Sequence, residues 1–217
     1  MTIEALLHRG DSVKEILLSS KASRNAQLEE LLELCRRHDV SWHYDDRTID
    51  RLSIKENCYC IGSFVKYEGS LHSDRYVVLY GFSDYGELGT VLRSAVAFDF
   101  HDIVLIDCDL DYFDPRCIRA SMGSIFQCNM VRFESVEEYK KKYGQYRLYP
   151  FVSVSKQELS DTVFEEPYGL LIAQDYYGLD EEYPDGISLD HRGEKEISLS
   201  VRSSIILENA YAQKRSR

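Results

Sequence analysis

The residues of this chain that could do chemistry fall in a few short stretches. In DYGELGTVLRSAVAFDF (84–100), Arg93 brings a fixed positive charge and a planar fork of five N–H donors suited to phosphate. DCDLDYFD (107–114) offers four carboxylates at nearly alternating spacing, a hint of Mg²⁺ or Ca²⁺. It lacks the central Gly and terminal Glu of a calcium-binding loop, so a solvated acidic loop is the plainer reading. The six histidines show no metal-ligand spacing and no HExxH. No metal is therefore expected. Ser121 and Ser124 lie in RASMGSIF without a GxSxG elbow, which argues against a hydrolase. The glycines of 81–89 do not spell GxGxxG, which argues against a dinucleotide fold. Lys140–Lys142, beside Tyr139 and Tyr143, could touch RNA through charge and stacking.

These stretches must be held by regular elements, and the pattern supplies them. Val77, Val78, Leu79 and Tyr80 form a buried strand, followed by a Gly-containing turn. Leu88, Val91, Leu92 and Ala95 then fall on one helix face from about residue 88, placing Arg93 in the first turns. The N–H groups at such a helix start could receive an anion. Further strands are expected at 102–107, 128–133, 148–154, 168–173 and 186–189. Helices are expected at 114–122, 135–143 and 197–213. That alternation predicts a mostly parallel sheet covered on both faces. In the last helix Leu199, Ser203, Ile206 and Ala210 share one stripe, next to Ile205.

Ahead of this, residues 1–70 read as a smaller α/β unit. NAQLEELLELCRRH (25–38) is a helix with Leu28, Leu31, Leu32 and Cys35 on one stripe, and VSWHY (40–44) alternates as a half-buried strand. The polar run KYEGSLHSD (66–74) is the natural linker. The expected organisation is thus 1–70 and 71–217.

Composition narrows the class. A chain of 217 residues with 44% hydrophobic and 29% charged content is long enough for a substantial core. Six scattered cysteines without a CxxC pair point to reduced thiols and a cytoplasmic protein. No apolar run is long enough to span a membrane, and MTIEALLHRG does not look like a signal peptide. A net charge of −11 argues against DNA as a partner and confines any RNA contact to local basic patches.

Taken together and in order, several segments resemble one family. DYGELGTVLRSAVAFDF (84–100), FDPRCIRASMGSIFQCNM (113–130), GLLIAQDYYGLDEEY (169–183) and ISLDHRGEKEISLSVRSSIILENA (187–210) are similar to the successive motifs of the SPOUT superfamily, in its TrmH-type (SpoU) branch of RNA ribose 2′-O-methyltransferases. The resemblance covers about 76–213. Residues 1–70 resemble, more weakly, the small α/β substrate-binding domain that often precedes this catalytic domain.

The resemblance implies an α/β, trefoil-knotted SPOUT methyltransferase domain, a homodimer formed through the C-terminal helix, and S-adenosylmethionine held in the loops of the knot. It further implies methyl transfer to a ribose 2′-hydroxyl of structured RNA, tRNA or rRNA. Arg93 matches the family's catalytic arginine, which engages the target phosphate and helps remove the 2′-hydroxyl proton. Glu87 and Ser200 stand at the other catalytic positions, each where the family has Asn. Ser153, Ala173, Gln174, Leu189, His191, Ser198 and Leu199 would surround the cofactor. Ala173 and Asp175 replace the usual Gly and Glu of the second motif. Leu189, Asp190 and His191 replace an Ile-Pro-Met-like run, and Arg202 stands where the family has a small residue. Two alternatives remain open at this point: a non-catalytic knot serving as an RNA- or protein-binding scaffold, and an acidic metal-binding regulatory protein.

Overall fold

Apolar runs bounded by polar turns become strands, and the 3.6-residue stripes become helices, in the computed structural model, which describes residues 1–53, 57–176, 179–189 and 197–215. The chain divides between Tyr67 and Glu68 into two units.

The first unit runs α1 (Thr2–Arg9), β1 (Val13–Leu18), α2 (Ala26–Arg37), β2 (Ser41–Tyr44), α3 (Asp46–Leu52) and β3 (Cys60–Phe64). Its sheet has the order β2-β1-β3, with β1 parallel to β2 and antiparallel to β3. Asn25 caps α2 by accepting a hydrogen bond from the Leu28 amide at 3.0 Å. Of the stripe expected on α2, Leu31 and Cys35 are buried and Leu28 and Leu32 are half-buried, while Leu34 joins the buried side. The half-buried strand expected at 40–44 is also corrected. All four residues of β2 are exposed, because it is an edge strand with a neighbour on one side only.

The second unit runs β4 (Arg75–Tyr80), α4 (Tyr85–Ala97), β5 (Asp102–Ile106), α5 (Pro115–Ala120), β6 (Asn129–Phe133), α6 (Val136–Tyr143), β7 (Arg147–Pro150), β8 (Gln157–Glu158), β9 (Tyr168–Ala173), α7 (Leu179–Glu182), β10 (Ile187–Ser188) and α8 (Leu199–Arg215). Five strands form a wholly parallel sheet of order β6-β5-β4-β9-β7. β8 and β10 pair separately. Burial on both faces explains why β4, β5 and β9 are apolar almost throughout. Tyr76, Val78, Val104, Ile106, Leu171 and Ala173 pack on one face with Tyr139 of α6 and Leu179 of α7. Val77, Leu79, Ile103, Leu105, Leu170 and Ile172 are equally buried and, by alternation, point to the opposite face.

On the α4 side the helices meet closely. A Cβ at Gly89 would stand 2.5 Å from the Ala120 Cβ and 2.7 Å from the Cys117 carbonyl oxygen, so only glycine lets α4 lie this near α5. Leu88, Val91, Leu92 and Ala95 are all buried, as the stripe requires.

Other sequence signals resolve into structural roles. Asp114 caps α5 by accepting from the Arg116 amide, and the Asp111 carboxylate accepts from the Phe113 amide. Arg132 donates to the carbonyls of Cys108 and Leu110, both at 2.5 Å, closing the acidic loop over Tyr112. Among the described residues no group of His, Cys, Asp or Glu is arranged to hold a metal ion. Tyr139 is 1% exposed and its hydroxyl meets that of Tyr76 at 2.6 Å, so it is core and cannot stack on RNA. The polar run at 66–74 is no free linker from Gly69 onward. The Gly69 amide donates to the Met130 carbonyl, and the buried Asp102 carboxylate accepts from the amides of His72 and Ser73. No helix among the described residues is long and apolar enough to cross a membrane.

Candidate functional site

In a parallel sheet the free edge available for binding lies at the carboxyl ends of the strands, beside the point where the strand order reverses. Here β4 is the first strand of the sheet, with β5 on one side and β9 on the other. The loops after β4 and β9 carry the residues singled out from the sequence.

After β4, Gly81 takes a φ of +70°, turning the chain out of the sheet. Asp84 then caps α4. Its side chain accepts from the Glu87 amide at 2.8 Å and its carbonyl from the Leu88 amide. The cap starts α4 at Tyr85, earlier than the apolar stripe indicated, because Leu88 is the first buried residue rather than the first helical one. Two expectations are thereby corrected. The Asp84 carboxylate occupies the helix start where an anion was expected, and Arg93 lies in the third turn. Arg93 is exposed and makes no ion pair or hydrogen bond among the described residues, so its guanidinium faces solvent uncommitted. Glu87 is half-buried and forms no ion pair with Arg93.

After β9, the Gln174 amide continues the ladder by donating to the Tyr80 carbonyl at 2.9 Å. The Gln174 side-chain oxygen accepts from the Ser83 amide at 2.6 Å, tying this loop to the one before α4. Arg202, in the first turn of α8, reaches the same place. It is 4% exposed, donates to the carbonyls of Ala173 and Gln174 (the latter at 2.7 Å), and lies 4.3 Å over the Tyr176 ring. Where the family pattern has a small residue, this chain thus has a side chain committed to carbonyl contacts.

The remaining candidates divide. Leu199 is buried at the start of α8, Ser198 is exposed just before it, and Ser200 is half-buried. The Ser200 carbonyl accepts from the Ser204 hydroxyl, which also meets the Ser94 hydroxyl at 3.0 Å. That pair joins α8 to α4 next to Arg93. Ser153 is engaged elsewhere: its amide donates to the Asp180 carboxylate at 2.9 Å, and its hydroxyl to the same group. Leu189 is half-buried after β10, and His191 lies outside the described residues. Direct contacts therefore unite Ala173, Gln174, Ser83 and Arg202, while Ser94 and Ser204 link the helices of Arg93 and Ser200.

The electrostatic character of this edge is acidic. Burial, and then the carboxylates of Asp107 and Glu182, raise the Tyr80 phenol above its ordinary value. Arg202, Tyr176 and Asp180 escaped the site reading. A signal for Arg202 was available, since it lies between Leu199 and Ile206 on the buried stripe of α8, where a charge demands buried partners.

Comparison with known proteins bears on the same region. Residues 74–188 match the model of the SpoU rRNA methylase family. A 23S rRNA (uridine(2479)-2′-O)-methyltransferase of Streptomyces viridochromogenes is 32% identical over 101 residues, 43% of this chain. That stretch spans about a third, 35%, of the relative's own length. Among solved structures, the SpoU methyltransferase AviRb from Streptomyces viridochromogenes superposes with a TM-score of 0.83 at 19% identity, covering 100% of this chain and 88% of that one. An AdoMet-bound rRNA methyltransferase from Sinorhizobium meliloti gives a TM-score of 0.77 at 18% identity, over 97% and 84% of the two chains.

Proposed function

This chain belongs to the SpoU rRNA methylase family, and from that premise we propose that it transfers a methyl group from S-adenosylmethionine to a ribose 2′-hydroxyl of structured RNA, tRNA or rRNA. One observation carries the reading. The family match spans both the helix of Arg93 and the loop after β9, and Gln174 and Ser83 hold those segments together.

The residues at this edge suit the cofactor. S-adenosylmethionine, when bound, supplies an electrophilic methyl group on a cationic sulfur. An acidic edge, with the carboxylates of Asp175 after β9 and Asp180 in α7, favours such a cation. Arg202 directs its donors to backbone carbonyls at this edge. Ala173, Gln174, Leu189, Ser198 and Leu199 would hold the nucleoside, with Ser153 and His191 assigned to the same pocket by family position. Arg93 would grip the phosphate beside the target ribose, and its positive charge favours loss of the hydroxyl proton as the oxygen takes the methyl group. Glu87 and Ser200 would flank the reacting ribose.

The finer elements belong to the same proposal. The C-terminal segment closes a trefoil knot, the unit before Glu68 recognises RNA, and α8 forms a homodimer contact. Supporting the last, Val201 and Ile205 are 49% and 41% exposed one turn apart on α8. Six free cysteines support a cytoplasmic setting.

The decisive experiment begins with calorimetric titration of the purified protein with S-adenosylmethionine. Binding at one site per chain, followed by transfer of labelled methyl to ribosomal or transfer RNA, is the expected result. Absence of both would overturn the proposal in favour of a binding scaffold.

A further inference from the structure

Arg202 is the departure from the family pattern that the fold accommodates most completely. A guanidinium only 4% exposed must have partners for its N–H donors, or burial would cost several kcal/mol. Most buried arginines meet a carboxylate. Among the described residues Arg202 has no ion pair, and its donors go instead to two successive carbonyls at the end of β9, Ala173 and Gln174. The flat face of the same group covers Tyr176 at 4.3 Å. One side chain thus takes hold of residues 173, 174 and 176 together.

We propose that Arg202 is the positioning residue of the 173–176 loop, fixing the backbone against which the cofactor is held; this rests on the methyltransferase reading above. Other contacts hold the loop as well: the Gln174 amide on the Tyr80 carbonyl, the Gln174 side chain on Ser83, and the amides of Leu179 and Asp180 on the Tyr176 carbonyl. Arg202 is the one of these contacts that joins the loop to the first turn of α8. Its action also passes through Gln174 and Ser83 toward the start of the Arg93 helix. The guanidinium suits this task, because its terminal Nη2 donates to both adjacent carbonyls while the delocalised group lies over an aromatic ring. A lysine ammonium has the charge without the shape.

Two variants and two readouts test the proposal. R202M keeps the length and loses the charge; R202K keeps the charge and loses the planar guanidinium. In the free protein, amide hydrogen exchange at 174–176 should quicken in R202M while the central strands β4 and β5 stay protected. Calorimetric affinity for S-adenosylmethionine should fall about tenfold to a hundredfold, the effect of losing hydrogen bonds from a charged donor. R202K should lie between R202M and the unaltered chain in both readouts. Unchanged exchange in R202M overturns the inference, as does unchanged affinity. A melting point lowered with both readouts intact would also overturn it, leaving Arg202 as packing alone. Should R202M fail to fold, R202K carries the test: behaviour identical to the unaltered chain would refute the need for a guanidinium at this position. If the unaltered protein binds no S-adenosylmethionine, the methyltransferase reading falls by itself. The exchange experiment then still decides whether Arg202 holds the loop.

Discussion

Arg93 and Arg202 stand on helices joined by the Ser94–Ser204 contact, and the two arginines are treated in opposite ways. On α4, Arg93 is exposed and its guanidinium has no partner among the described residues. On α8, Arg202 is buried with its charge committed to two carbonyls and an aromatic face. A guanidinium left uncommitted on a helix surface can bind what arrives from solvent. One buried against backbone carbonyls is committed to holding its neighbours in place. The difference teaches that residue type alone does not mark a reacting group: the state of its donors does.

The comparison breaks if Arg93 proves dispensable. R93A is expected to lower methyl transfer by roughly a hundredfold to a thousandfold, the cost of losing one donor aimed at developing charge. Its denaturation midpoint should move little, because an exposed substitution usually changes stability by about 0.5 kcal/mol or less. Activity retained in R93A would remove the catalytic assignment. The inverse pattern is expected of Arg202. R202M should destabilise the second unit by about 2 to 4 kcal/mol in chemical denaturation, since it removes a charged donor from the Ala173 and Gln174 carbonyls.

Placement of Arg93 also depends on how its helix sits. G89A pushes a methyl group to 2.5 Å from the Ala120 Cβ and against the Cys117 carbonyl. Separation of α4 from α5 should cost about 1 to 3 kcal/mol. Methyl transfer should fall with it although no reacting group is altered. Unchanged stability would mean that the helices can part freely. D84A, which removes the cap of α4, should cost about 1 kcal/mol. Fraying of the first turn, seen as faster exchange at Glu87, would be its signature.

Alkaline pH offers the mildest way to separate core from arginines. Burial pushes the Cys117 thiol up to about 12 from 9.0. Burial likewise carries the Tyr139 phenol to about 12 from 10.0, and raises Tyr76, its hydrogen-bonded partner, further still. For these groups the neutral form is favoured by folding. The stability they contribute is therefore complete below the unfolded values and is lost as pH climbs toward the folded ones. Melting temperature should decline progressively from about pH 9 to pH 12, with the buried phenols adding their tyrosinate absorbance at unfolding rather than before it. Ionisation of Tyr139 in the intact fold near pH 10 would contradict the account.

Much of this architecture could be read without coordinates. The stripe of Leu88, Val91, Leu92 and Ala95 is wholly buried, because a helix packed on a sheet must turn its apolar side inward. Edges were harder to read than centres. Asp84 begins α4 before its first apolar residue, and the exposed β2 alternates as though half-covered. Local pattern records what a residue prefers; it does not record whether a neighbouring strand is present.

By itself, then, the sequence determined the α/β alternation, the parallel sheet and the membership that points to Arg93. These follow from periodicity and from the order of motifs, which are properties of one dimension. The tertiary structure decided which charges are free. It placed the Asp84 carboxylate at the head of α4, turned Tyr139 into core, drew Ser153 to Asp180, and set Arg202 under the end of β9. Each of those outcomes depends on partners distant in the chain. Desolvation and hydrogen bonding are fixed only once those partners come into contact.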